Sequence, residues 1–453
     1  MNRRRFTLLL KAVLGGSALT LPSDARAADG NGERRRFIVI GAGLSGLAAA
    51  RRLQSLGHEV LVLEGRDRIG GRTHTSLQWS DLPVDLGASW IHESKGNPLT
   101  PLAAELGAKL LTTRYDDSIG YHTDGSEWTA ADERLLDELR DRVYEILEVE
   151  QDTGADQTLR QALKSLVGSG APAETRRLVD FILSSEMETE YSGSADQLST
   201  YWYDHADGYS GPDQLFADGF RVLVDHLSAG LNILTGKIVT AIDWSQPEVR
   251  VVTASGEYTA EGVLVTLPLG VLKTGGPVFT PPLSAAKRKA IANLGMGLLN
   301  KCYLRFPSAF WPDDVDWIEY IPATHGEWTE WVSFTKATGK PVLLGLLAAD
   351  VAEKMETLSD REIVAGAMAV LRTIYGDAIP DPVEYQITRW NSDPFARGSY
   401  SFNAVNSTPA MRSALAAPLG GRLFFAGEAT EKTLFASAHG AYLSGLRAAD
   451  EMG

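Results

Sequence analysis

The stretch that most constrains this chain is Phe37-Ile-Val-Ile40, followed directly by Gly41-Ala-Gly43-Leu-Ser-Gly46. The β-branched run predicts a strand, and the Ala-rich stretch Leu47 to Leu56 predicts a helix after the glycines. Strand, glycine turn and helix then stand in the order of a dinucleotide-binding unit. Gly41 permits the tight turn, Gly43 lets a pyrophosphate approach the backbone, and Gly46 lets the helix pack on the strand, with Leu44 and Ser45 in the turn between them. A second strand, Val60 to Leu63, ends in Glu64, eighteen residues after Gly46, where a carboxylate can accept hydrogen bonds from both ribose hydroxyls.

The residues after Glu64 separate FAD from a nicotinamide cofactor. They read Gly65-Arg66-Asp-Arg-Ile-Gly70-Gly71-Arg72. Two adjacent glycines let the chain pass close to a bound pyrophosphate, and Arg72 adds a permanent cation for it. A nicotinamide enzyme has no need of this second clamp.

From here the chain resembles the flavin-containing amine oxidase family, which includes monoamine oxidases, polyamine oxidases and histone lysine demethylases. The landmarks run in order to the last residues: Gly87-Ala88-Ser89-Trp90-Ile-His92, Val239 in Gly236-Lys-Ile-Val-Thr, Thr266-Leu-Pro268, Gly427-Glu428-Ala-Thr430, and Ser437-Ala438-His439-Gly-Ala441. The first of these is closest to polyamine oxidases. The resemblance implies that Gly87 to Trp90, Val239, Thr266, Gly427, Glu428, Ser437, Ala438 and Ala441 meet the FAD. It implies an α/β fold of two domains, a Rossmann-like FAD-binding domain over residues 35–100, 219–285 and 399–453 with a substrate-binding domain interleaved over 101–218 and 286–398. The helix beginning near His439 would turn its N-terminus, with its partial positive charge, toward the flavin.

Amine oxidation moves a hydride equivalent from the α-carbon to the flavin and leaves an imine that water hydrolyses. It needs a dry pocket and aromatic surfaces rather than a metal or a strong nucleophile. Lys301 lies in the alternating run Leu299 to Phe306. A lysine on the inward face of a strand needs an explanation, because burial disfavours its charge. In the family a lysine here holds a water beside the flavin. Trp390 and Tyr400 match aromatic residues of the flavin site, with Tyr400 as one wall of an amine cage. Ser437 stands where monoamine oxidases carry tyrosine, which implies a wider passage. His92 and Glu188 are the expected readers of substrate nitrogens, Glu188 by its spacing in Met187-Glu-Thr-Glu-Tyr191. The single cysteine, Cys302, lies away from the position that tethers FAD in monoamine oxidases, so FAD is expected to bind noncovalently.

The expected substrate is a polyamine, with a simple monoamine or an alkaloid-type amine as the alternative. An L-amino-acid oxidase is disfavoured because Gly87 to His92 contains no arginine for a carboxylate. A non-catalytic flavin-binding protein is disfavoured by Lys301, Trp390 and Tyr400. Either O2 or a redox protein would reoxidise the flavin.

Length and composition predict a globular chain of two or three domains and exclude disorder, collagen and coiled coil: 453 residues, 44% apolar and 22% charged. The formal charge of −15 argues against nucleic acid as a partner. Residues 2–8, Asn-Arg-Arg-Arg-Phe-Thr-Leu, lead into a short apolar stretch broken by Lys11 and then Ala25-Arg-Ala27. This is the layout of a twin-arginine export signal over residues 1–27. It predicts recognition by the twin-arginine machinery, export of the folded protein to the periplasm or beyond, and no stable membrane anchor. Cleavage after Ala27 would remove five basic side chains and one acidic, leaving −19, a field that attracts a polycation.

Overall fold

The computed structural model describes residues 34–453, so the export-signal expectation lies outside the described residues. A parallel sheet is built from strands far apart in sequence, in the order Leu423–Phe425, Gly262–Val265, Arg36–Ile40, Glu59–Leu63 and Asn232–Leu234. Its central members are apolar on both faces, as a covered parallel sheet requires. The Leu44–Ser55 helix starts at the glycine turn, three residues earlier than its alanine run suggested.

Two glycines set how closely this unit packs. A Cβ at Gly46 would lie 2.0 Å from the Gly41 carbonyl oxygen, and one at Gly445 would lie 2.1 Å from the Ser45 oxygen. The C-terminal Ala438–Met452 helix therefore docks backbone to backbone on the Leu44–Ser55 helix. The start of the Leu44–Ser55 helix and the middle of the Ala438–Met452 helix, whose Ser444 hydroxyl accepts from the Gly427 N–H at 2.9 Å, are thereby fixed together beside the strand ends.

A second sheet has six strands, in the order Glu384–Ile387, Leu299–Arg305, Val342–Ala348, Glu330–Ser333, Trp317–Tyr320 and Ser118–Tyr121. The run containing Lys301 is the Leu299–Arg305 strand, and it is covered on both sides. Its period of two sends Asn300, Cys302 and Leu304 toward the Asp360–Tyr375 helix, and Leu299, Lys301 and Tyr303 toward the opposite face. A three-stranded sheet, Trp90–Ile91, Asp213–Phe216 and Leu110–Thr113, lies beside it.

The charged segment after Thr129 forms the Ala130–Thr153 helix, with a capping box between Thr129 and Asp132. The interleaved acids and arginines of Ala130 to Glu150 predict a helix exposed all round, and the structure corrects this in part. Leu136, Leu139, Val143 and Leu147 fall on one stripe and are buried against Leu159, Leu178 and Ile182. Its many acids and arginines hide that stripe in a reading by composition alone. No described helix is long and apolar enough to cross a membrane.

Candidate active site

One cavity of about 770 Å³ is lined from both the parallel sheet and the six-stranded sheet. That size suits a cofactor and a small substrate together.

On the parallel-sheet side two glycine turns touch. Gly43 bridges to Gly70, the Gly70 N–H donates to the Ala42 oxygen at 2.8 Å, and Gly71 adopts φ +58°. A Cβ at Gly43 would meet nothing within 4 Å, so its backbone faces the open cavity. Leu44, Ser45, Gly65, Val239 and Thr266 line the same region. Glu64 accepts from the N–H groups of Ala42 and Arg66 at 2.7 and 2.8 Å, which fixes its carboxylate at the strand end. Gly46 does not line the cavity; its work is the helix packing described above.

Two arginines add charge here. Arg66 pairs with Asp393 at 2.6 Å and leaves its other terminal nitrogen buried without a hydrogen-bond partner. Arg72 donates to the Ser399 carbonyl at 2.8 Å and to Glu428 at 3.0 Å. Glu428 is buried and also accepts from Ser401 and the Ala436 N–H. Burial acts to raise its pKa, but Arg72 and its other partners outweigh that and hold it below the usual range. The open glycine cradle, the adjoining helix N-terminus and the orphaned Arg66 nitrogen fit a phosphorylated dinucleotide.

Toward the six-stranded sheet, Lys301 is the buried cation. Its Nζ donates to the carbonyls of Asp85 at 2.9 Å and Gly87 at 2.7 Å and to the Ser89 hydroxyl, and lies 5.5 Å from the Trp90 ring centroid. Burial pulls its pKa below the ordinary lysine range, opposed by the charge of Asp85. Asp85, itself raised by burial, accepts from Thr75 and from the Phe220 N–H.

Gly87, Ala88, Ser89 and Trp90 line the cavity, as do Trp390, Tyr400, Gly427, Ser437, Ala438 and Ala441. Trp390 donates to the Leu86 carbonyl at 3.1 Å, and the Tyr400 hydroxyl to the Thr189 carbonyl at 2.7 Å. Burial pushes the Tyr400 hydroxyl well up, so it is a neutral wall. Ser437 caps the Ala438–Met452 helix by accepting from the Gly440 N–H, which places that helix N-terminus at the cavity. His92 reaches the cavity beside Trp90, with Nδ1 3.1 Å from Asp213. Cys302 faces the other side of its strand, and burial raises its thiol pKa.

The chain matches the family model for flavin containing amine oxidoreductases over residues 44–453. It is 36% identical over 430 residues to polyamine oxidase 2 of Arabidopsis thaliana, covering 91% of this chain and 87% of that one. It is 38% identical over 442 residues to lysine-specific histone demethylase 1 homolog 1 of the same plant, covering 92% of this chain but only 52% of that relative. The chain belongs to the flavin-containing amine oxidoreductases. A solved structure of a redesigned putrescine oxidase superposes with TM-score 0.74 at 21% identity, over 92% of this chain and 99% of that one, and shares the fold. The two-domain α/β architecture and the reaction class, amine oxidation with a flavin, follow from membership of the family.

Glu188 is a correction. It does not line the cavity: one carboxylate oxygen accepts from the Ala195 N–H and the other lies 2.8 Å from His325 Nε2. Two residues along a helical turn rotate a side chain by about 200°, to the opposite face. Of the three glutamates in this run, Glu190, two positions on, is the one that lines the cavity. The sequence offered Glu186, Glu188 and Glu190 in one run, and nothing local fixed the phase, which a π turn over Leu183–Glu188 shifts further. The sequence reading also missed Glu93, Asp207, Tyr115 and Trp317, all cavity-lining. Tyr115 stacks on Trp317 at 4.2 Å and Trp317 on Trp90 at 6.2 Å. These arrive from separate segments, Trp90 and Trp317 on strands and Glu93, Tyr115 and Asp207 outside them, and carry no shared motif.

The Glu188 cluster has a pH signature. His325 also lies 3.5 Å from Asp180. Burial acts to lower its pKa, but the contacts with Asp180 and Glu188 outweigh burial and raise it from 6.5 to about 9. A raised folded-state pKa stabilises below the unfolded value and loses that contribution as pH rises through the folded one. His325→Gln is therefore expected to lower the melting temperature at pH 6 and to have no such effect above about pH 10. Thermal unfolding across pH tests this, and an equal loss at both ends would contradict it.

Proposed function

We propose that this protein is an exported FAD-dependent amine oxidase acting on polyamines of the spermine and spermidine type, giving an aldehyde, a shortened amine and, with O2 as acceptor, hydrogen peroxide. The observation that carries the reading is the continuity of one cavity from the glycine cradle to Lys301, with Glu93, Glu190 and Asp207 also on its wall. Three carboxylates on the wall of a substrate passage suit a ligand with several ammonium groups. The 36% identity to polyamine oxidase 2 supports the same substrate class.

Gly43, Gly71, Glu64, Arg66 and Arg72 would hold the dinucleotide, noncovalently, and Gly87 to Trp90, Thr266, Trp390 and Ser437 to Ala441 would flank its ring system. Bound FAD supplies the oxidant that takes up the hydride equivalent lost from the amine's α-carbon. The protein's part is to orient and to exclude water. Trp390 and Tyr400 present apolar walls to the amine, and a dry setting favours the neutral nitrogen that oxidation needs. Lys301 lines the cavity, and exchange of its Ser89 hydroxyl partner for a water would let its ammonium present that water for hydrolysis of the imine. Glu190 would hold a distal ammonium and so set which C–N bond reaches the oxidant.

A second reading, an amine bearing an aromatic ring, is favoured by the stacked Tyr115, Trp317 and Trp90 wall. A panel of spermine, spermidine, putrescine, phenylethylamine and L-amino acids, scored by flavin bleaching and peroxide release, separates the two. Spermine or spermidine is expected to turn over fastest, and Glu190→Gln to raise KM for it about 10-fold or more with little change in kcat. Preference for phenylethylamine, or an indifferent Glu190→Gln, would overturn the polyamine assignment. Export through the twin-arginine route predicts a mature N-terminus at Ala28; an intact Met1 on protein found only inside the cell would refute it.

A further inference from the structure

Behind the Glu428 wall lies a second buried cation that does not itself line the cavity. Arg412 has 0% exposure and sits on the Pro409–Ala416 helix. The end of that helix is pinned by the equally buried Lys287, whose Nζ donates to the carbonyls of Ala414, Leu415 and Ala417. Arg412 donates from Nε to Asn403 Oδ1 at 2.9 Å, and from Nη1 to Ser401 Oγ at 2.7 Å and the Ala429 carbonyl at 3.3 Å. Its guanidinium carbon lies 3.9 Å from the centroid of Phe435, a cavity-lining ring.

Ser401 passes the contact on. Its hydroxyl donates to Glu428 Oε2 at 2.6 Å, while Glu428 Oε1 accepts from Arg72 at 3.0 Å. Arg412, Ser401, Glu428 and Arg72 thus form one chain of contacts ending at the cavity. Arg72 and Glu428 offset one another's charge. The three hydrogen-bond partners of Arg412 are neutral, so its charge is not cancelled by direct contact. Burial pulls its pKa down to about 9, opposed by Glu428, and it stays charged at neutral pH.

We infer that Arg412 is a positioning residue for the flavin: through Ser401 it locks Glu428 so that Arg72 is held at the cavity wall, and it supplies the positive charge left over once Arg72 and Glu428 have paired. A buried charge is weakly screened, so it acts on an anionic ligand beyond its own contacts. Two effects follow. The cofactor's diphosphate is bound more tightly, and reduction, which adds negative charge to the bound flavin, is made easier.

This inference rests on the FAD reading, and the test separates the two. Apoprotein is titrated with FAD by fluorescence, and the midpoint potential of the reconstituted protein is measured, for wild type, Arg412→Met, Arg412→Lys and Ser401→Ala. Arg412→Met is expected to raise the FAD Kd about 10-fold or more and to make the potential more negative. Arg412→Lys should recover most of both. Ser401→Ala, which leaves the cation but breaks the relay, should raise Kd with a smaller change in potential. Wild-type Kd and potential in Arg412→Met, or Arg412→Lys no better than Arg412→Met, would overturn the inference. If Arg412→Met does not fold, Ser401→Ala decides: a raised Kd supports the relay and an unchanged Kd overturns it. Wild-type protein that takes up no FAD would instead count against the FAD reading itself.

Discussion

The rest of the site depends on one buried ammonium. Lys301 leaves the six-stranded sheet and spends its three donors on the Asp85 carbonyl, the Gly87 carbonyl and the Ser89 hydroxyl. Stripping water from an unpaired ammonium would cost several kcal/mol, and three oxygens at bonding distance offset that cost only if the segment 85–89 stays in place. The same segment is held from other sides. Tyr303 donates to the Asp85 carbonyl, Trp390 to the Leu86 carbonyl, and the Asp85 carboxylate accepts from Thr75 and the Phe220 N–H. The six-stranded sheet and the cofactor-side segments therefore meet at one short stretch of chain, and the cavity passes beside it.

That knot explains which parts of the site were legible in the sequence. The glycine cradle is a local object: Gly41, Gly43, Glu64 and Gly71 lie within about thirty residues, and each is required by a backbone approach or a hydrogen bond to its own neighbourhood. Lys301 was legible because a strand lysine on the same face as Leu299 and Tyr303 has to be explained. Its anchors were not legible as anchors, since two of the three are main-chain carbonyls, which carry no sequence signal. Asp85 escaped notice for a related reason, as a buried acid whose partners are a threonine and a main-chain N–H more than a hundred residues away.

The Glu188 correction marks a different limit. Three glutamates at alternate positions predict that one faces inward, but the choice depends on helical phase, and the π turn alters that phase in a way composition does not reveal. Glu188 is held instead by the Ala195 N–H and His325. The aromatic wall of Tyr115, Trp317 and Trp90 was equally hidden, because it exists only once the three-stranded and six-stranded sheets have packed together. Helix amphipathicity failed in the same manner at Ala130–Thr153, where the buried stripe is narrower than the charged surface around it.

The central claim is that Lys301 stands at the reacting end of a flavin cavity. Its most direct test is anaerobic mixing of spermidine with the Lys301→Met variant carrying a full complement of FAD, followed by stopped-flow absorbance and product release. The account predicts that flavin reduction or imine turnover falls by about 10²-fold or more while FAD content is unchanged. A fully loaded variant that bleaches and releases product at the wild-type rate would contradict it.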